Sequence, residues 1–164
     1  IKHVSQLIGE HTRIFLYGFG SSGLAAQEFQ LRLLRLGMDA EAITELHQMV
    51  LNEARITNAC LVIGISLSGA TRELIDALDR AKARGAAVIY LTSSNAEREK
   101  RTYEEIVLAP VKKNLEYGNV ISPQFPILLI LDLIYAQLLK EDRRSTEAQY
   151  DTHIWERIKD YHVG

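Results

Sequence analysis

One cysteine stands in the whole chain, Cys60, and it lies inside an apolar run. An intrachain disulfide is therefore excluded, and the thiol reads as a small buried hydrophobe rather than a nucleophile. Such usage suits a reducing, cytoplasmic compartment. Long apolar runs are missing as well. The longest, Ile127 to Leu139, is interrupted by Asp132 and Gln137 and falls short of the ~20 residues that a bilayer-spanning helix needs. No signal peptide, internal repeat or low-complexity segment is visible. Charge of one sign is not in excess: the formal net charge is −2, which argues against broad binding to nucleic acid or membrane by this chain alone. The five histidines are scattered. They form no metal-ligand cluster, and no Ser-His-Asp order with a strained nucleophile elbow is present. No metal and no cofactor are expected. The chain opens at Ile1 rather than at a methionine and is expected to be a piece of something longer.

What is there is ordinary globular material. The 164 residues are 47% hydrophobic and 24% charged, enough for one domain with a real core. Its centre is Val62-Ile63-Gly64-Ile65-Ser66-Leu67-Ser68-Gly69-Ala70-Thr71. The apolar half reads as a fully buried parallel strand, and an amphipathic helix pattern follows at once. The loop between them then lies at the carboxyl end of that strand, where open α/β sheets bind ligands. Hydroxyls and backbone N–H groups at a helix N-terminus suit a phosphate. The plain alternative is that Ser68 merely caps the helix and Ser66 is a loop serine.

The rest of the chain alternates in the same way. Ile1 to Glu10 predicts a short amphipathic helix. Arg13 to Tyr17 predicts a strand running into Gly18-Phe19-Gly20-Ser21-Ser22-Gly23, with a helix over about 22–36 stopped by Gly37. Leu24, Ala26, Leu31 and Leu34 give that helix more apolar surface than one stripe needs, as at a subunit interface. Met38 to Thr44 predicts a strand, and Glu45 to Ala54 a helix carrying His47. A helix over 71–84, with Asp76 and Arg80 at i,i+4 spacing, is stopped by Gly85. Strands are expected at Ala86–Leu91 and Glu105–Ala109. Ser94 with Glu97 has capping-box spacing for a short helix. Residues 112–122 read as loop, and a long apolar helix covers Ile127 to Leu139. Thr146 and Gln149 could cap a last helix through Trp155 to Tyr161. The order implies an α/β domain, a three-layer sandwich with a mostly parallel five-stranded sheet flanked by helices. A linker or helix over 1–12, a domain over 13–140 and a helical tail over 141–164 make up the expected organisation.

Four features could carry chemistry. Gly18-Phe19-Gly20-Ser21-Ser22-Gly23 matches G-x-G-x-x-G between a strand and a helix, the dinucleotide-binding context. None of Asp39, Glu41 and Glu45 is distinguished as the ribose-binding acid, and the glycines could serve only a tight turn. The serine loop is the second feature. Ser21 and Ser22 could face Ser66, Ser68 and Thr71 across a shared pocket of neutral donors, able to hold a phosphate dianion or a sugar. His47 and the loop glutamate Glu116, beside Tyr117 and Gly118, are the two candidate general bases. Both also read as exposed residues without a catalytic role.

Taken together, the G-x-G-S-S-G loop, Val62-Ile63-Gly64-Ile65-Ser66-Leu67-Ser68-Gly69-Ala70-Thr71-Arg72-Glu73-Leu74 and Ala81-Lys82-Ala83-Arg84-Gly85-Ala86-Ala87-Val88-Ile89-Tyr90-Leu91-Thr92-Ser93 resemble the sugar isomerase (SIS) phosphosugar-binding domain, over roughly Arg13 to Lys140. Glu45 to Ser66 looks most like the effector domain of RpiR-type bacterial transcription regulators. The resemblance implies a phosphate held by Ser66, Ser68, Gly69 and Thr71, helped by Ser22. It also implies a homodimer, and DNA binding only through an N-terminal helix-turn-helix domain that this chain lacks. Isomerases of the superfamily often place a glutamate or histidine base near the start of the helix corresponding to 122–139, where this chain has Val120 to Pro126 and no carboxylate. The expectation is therefore a phosphosugar-sensing, dimerising domain of a sugar-metabolism regulator that is not an enzyme. A sugar-phosphate isomerase is the second reading and an NAD-binding domain the third.

Overall fold

A computed structural model describes residues 1–68, 71–94, 102–110, 122 and 124–145. Helix α1 (Lys2–Glu10) leads into β1 (Arg13–Gly18), α2 (Gly20–Arg35), β2 (Ala40–Ile43) and α3 (Leu46–Asn52), which runs on as a short 3₁₀ turn over Glu53–Arg55. Then come β3 (Cys60–Ser66), α4 (Arg72–Ala83), β4 (Ala87–Thr92), β5 (Glu105–Leu108) and α5 (Phe125–Ser145). The five strands form one sheet in the order β2-β1-β3-β4-β5, with every pair parallel.

Side chains alternate across this sheet, as a strand's period of two requires. Ile14, Leu16, Leu61, Ile63, Ile65, Ile89 and Leu91 face α1, α2 and α5 in one buried cluster. Phe15, Tyr17, Cys60, Val62, Val88 and Tyr90 face α3 and α4 in the other. Burial on both faces is why β3 and β4 read as unbroken apolar runs rather than as alternation. Helices α2 and α4 end the same way, just before their glycines. Met38 N–H donates to the Leu33 carbonyl at 3.1 Å, and Ala86 N–H to that of Ala81 at 3.2 Å, the bond that closes a Schellman turn.

Several local expectations shift. Helix α2 begins at Gly20, so the serines of the first loop lie in its first turn. Arg80 does not pair with Asp76: it meets Glu53 from the 3₁₀ turn packed beside it, and Asp76 faces Arg72 at 4.0 Å. A carboxylate delivered by a packed neighbour outcompetes an i,i+4 partner on an exposed face. Helix α1 packs on the domain, with Val4, Leu7 and Ile8 buried and Ser5 Oγ donating to Glu141 of α5 at 3.1 Å. Helix α5 runs past Leu139 to Ser145. The outer strand β5 is tied down by Glu104, whose carboxylate accepts from Lys82 and, at 2.6 Å, from Val88 N–H. Burial pushes that carboxyl's pKa up, but the two hydrogen bonds outweigh it and hold it below the ordinary value. The helix expected after Ser94, the 112–122 loop except for Ser122, and the last helix lie outside the described residues.

Gly64 shows how tightly the layers fit. A Cβ there would sit 2.5 Å from Leu78 Cδ1, and Leu78 is fully buried in α4. Gly64→Ala should push α4 off the sheet and cost about 1–3 kcal/mol, read as a lower urea midpoint with an unchanged slope.

Candidate functional site

Strands β1 and β3 are neighbours, yet the helices that follow them leave on opposite faces: α2 packs in the α1/α5 layer and α4 in the α3 layer. Such a reversal opens a crevice at the carboxyl ends of the two strands. A cavity of about 490 Å³ lies there, lined by Phe19, Ser21, Ser22, Ile65, Ser66, Leu67, Ser68, Thr71, Ser93 and Pro110.

Two glycines shape its β1 side. A Cβ on Gly18 would lie 2.9 Å from the backbone of Ser22, and one on Gly23 2.9 Å from the Gly18 carbonyl. Only glycines let the strand end and the first turn of α2 close on each other so tightly. That turn carries Ser21 and Ser22 to the cavity. On the β3 side, Ser66 is buried at 4% exposure. Its Oγ lies 3.2 Å from Thr71 Oγ1 and 3.5 Å from Ser68 Oγ. The hydroxyls thus form a connected set before any ligand arrives.

The helix ends matter as much. The N-cap of α4 is Thr71, not Ser68, and makes no side-chain capping bond. Helix α2 likewise lacks a side-chain cap. First-turn N–H groups left without a capping side chain carry the positive end of the helix dipole. Two such ends border one cavity. Among the described residues that line it, none has an ionisable side chain.

The structure brings five expected residues together: Ser21, Ser22, Ser66, Ser68 and Thr71 all line this cavity. Gly69 lies outside the described residues, as do Glu116, Tyr117 and Gly118. His47 is exposed on α3 and is not among the lining residues. Asp39 precedes β2, at the far end from the cavity, and binds Arg13 at 2.7 Å. Glu41 is held by Arg55. Glu45 follows the carboxyl end of β2 and borders a small pocket with Gly20 and Gly23, but it is not among the residues lining the cavity. Sequence reasoning did not single out Ser93. Its N–H donates to the Leu67 carbonyl at 3.3 Å, and its hydroxyl bonds the same oxygen, stapling the β4 end to the serine loop. The signal for it was another strand ending in hydroxyls, Thr92-Ser93-Ser94, at the same edge of the sheet.

This is the layout of an α/β domain whose cavity, among the described residues, is lined by hydroxyls and apolar side chains. The match to known proteins is more particular. Residues 6–128 match the SIS domain family, and the chain belongs to that family. It is 32% identical over 137 residues to an uncharacterized HTH-type transcriptional regulator of Clostridium perfringens, covering 82% of this chain and 48% of that protein. The chain spans about half the length of this regulator and of a second one from Haemophilus influenzae that it also matches. Among solved structures, it superposes on the Vibrio vulnificus NanR protein complexed with ManNAc-6P with a TM-score of 0.80 at 21% identity, covering 98% of this chain and 60% of that one. The sugar isomerase domain of an RpiR transcription factor from Sphaerobacter thermophilus gives 0.73 at 19%, covering 86% and 77%. Phosphoheptose isomerase GmhA from Neisseria gonorrhoeae gives 0.66 at 19%, covering 83% of each chain. Regulators and an isomerase thus share this fold, and the chemistry of the site has to separate them.

With no ionisable side chain among those lining residues, the pH dependence of binding should come from the ligand. Affinity for a phosphate monoester should rise as pH passes about 6, where the dianion forms, and stay flat to pH 8. Titration calorimetry over that range checks this, and a second inflection would reveal a protein group.

Proposed function

We propose that this chain is the sugar-phosphate-sensing and dimerisation domain of an RpiR-type helix-turn-helix transcription regulator of sugar metabolism. The observation that carries the reading is the cavity between β1 and β3: hydroxyls and two uncapped helix N-termini, with no acid, base or cation among the described lining residues. Ser66, Ser68, Gly69 and Thr71 hold the phosphate, helped by Ser22, and Ser21 completes the ligand-binding set. The regulator names of the relatives and the NanR–ManNAc-6P likeness support it. DNA is bound through a separate N-terminal domain, with 13–140 as the sensing unit, and the protein works in the cytoplasm.

Aldose–ketose isomerisation moves a proton between carbons and needs a positioned base. Seryl and threonyl hydroxyls supply none near neutrality. An isomerase remains the second reading because GmhA shares the fold, and it requires turnover that Glu116→Gln or His47→Ala abolishes.

Thermal melting against sugar phosphates, their free sugars, inorganic phosphate and NAD tests the reading. A ligand at a hundredfold excess over its Kd stabilises by about 2.7 kcal/mol. One sugar phosphate should raise the melting point where its free sugar does not, and no product should accumulate. Ser68→Ala with Thr71→Ala should cost about 1.5–3 kcal/mol of binding per lost bond to the charged group. A shift with NAD alone would sink the proposal.

The dimer has a candidate face. Helices α2 and α5 lie side by side, joined by Arg32 to Asp132 at 2.6 Å. Leu24, Leu31 and Leu34 of α2 and Leu129 and Leu133 of α5 are exposed, Leu31 at 60%. Leu31→Glu should leave the fold intact and turn a dimer into a monomer in sedimentation. A variant still dimeric would place the interface elsewhere.

A further inference from the structure

A phosphate accounts for the hydroxyls of the cavity but not for its apolar walls. We propose that Phe19 and Leu67 clamp the body of the ligand from two sides, so that the site selects phosphates carrying a sugar ring over inorganic phosphate and small acyclic phosphates. This rests on the reading above that the cavity takes a sugar phosphate.

The two side chains reach the cavity from opposite layers of the molecule. Phe19 is half-buried and packs against the cluster of Phe15, Tyr17 and Val62 on the α3/α4 face. Leu67 is half-buried and packs against the cluster of Leu16, Ile63 and Ile65 on the α2/α5 face. The sheet separates those clusters, so the pair straddles its carboxyl edge with the cavity between.

Both residues are also held by their backbones. The Phe19 carbonyl accepts from Ser22 N–H at 3.1 Å and from Gly23 N–H at 3.2 Å. The Leu67 carbonyl accepts the N–H of Ser93 at 3.3 Å and its hydroxyl. Each is pinned within the loop that presents the hydroxyls, so the apolar walls and the phosphate donors are set at a fixed spacing before binding. That preorganisation spares the ordering cost that a mobile wall would carry.

The chemistry points to a ring. A pyranose presents a face of C–H bonds, and an acetamido substituent adds a methyl group. Either can cover an aromatic ring on one side and a leucine on the other. The cavity volume of about 490 Å³ is in the range of small-molecule sites, which are mostly apolar with a few placed polar groups. It leaves ample room beside a phosphate.

Titration of the 164-residue chain with N-acetylmannosamine 6-phosphate, glucose 6-phosphate, glycerol 3-phosphate and inorganic phosphate tests this. Wild type should bind at least one hexose phosphate far more tightly than the two small probes. Phe19→Ala and Leu67→Ala should each weaken that hexose phosphate by roughly ten- to a hundredfold while leaving inorganic phosphate within about twofold. Phe19→Tyr, which keeps a flat ring, should restore most of the loss. Unchanged inorganic phosphate binding, read by melting at high phosphate, also certifies that each variant is folded. Equal weakening of both probes would mean that the substitutions disturb the loops, and hexose phosphate binding that neither variant changes would mean no clamp. Either result overturns the inference and leaves the phosphosugar reading standing. Failure of the wild-type chain to bind any hexose phosphate would overturn that reading itself.

Discussion

The cavity exists because β1 and β3 are adjacent in the sheet while α2 and α4 leave them on opposite sides. Two right-turning connections cannot fill the same space when one climbs over the front of a sheet and the other over the back, so a crevice is left at the strand ends. Everything that touches ligand in the proposed function hangs from its rims. The β1 rim depends on Gly18 and Gly23, which bring strand end and helix start to backbone contact. The β3 rim depends on Ser66, buried at the strand's last position, with Thr71 bonded to it across the loop. The same arrangement sends the leucine faces of α2 and α5 to the outside of the molecule.

In the proposed function, recognition of a charged ligand by described residues that carry no charge of their own has a definite physical character. A lysine would bring a full positive charge, strongly hydrated when empty and costly to strip of water. Hydroxyls and helix N-termini bring partial charges that are already oriented, and they need little reorganisation when the anion arrives. The bonds Ser66 makes to Ser68 and Thr71 keep those hydroxyls satisfied meanwhile. They can be exchanged for bonds to ligand oxygens without leaving a buried donor unpaired, which is the costly alternative.

Much of this was legible in the residues. The apolar runs at 60–66 and 87–92 could only be strands buried on both faces, and the hydroxyl loops after β1 and β3 had to share an edge once the sheet was parallel. Five of the expected site residues meet in one cavity for that reason. What was not legible is what depends on packing between distant segments. Arg80 is drawn to Glu53 by the contact of α3 with α4, which no spacing along α4 could reveal. Ser93 acts through the carbonyl of Leu67, 26 positions away. Phe19 looked like the variable letter of a glycine motif and Leu67 like the spacer between two serines. Their side chains matter because the sheet sets them on opposite faces of one crevice.

Sensing and isomerisation then differ by very little in structure. In the proposed function the serine loops would hold a sugar phosphate under either reading, and ground-state binding gives no rate by itself. An enzyme must add a group that takes a proton from carbon at neutral pH, with a pKa tuned close to that of the solution. A hydroxyl cannot do this, and no histidine, carboxylate or amine stands among the described residues lining the cavity. The apolar walls of the proposed site would then distinguish one sugar from another, and distinguishing without converting is what the proposed role of an effector domain requires.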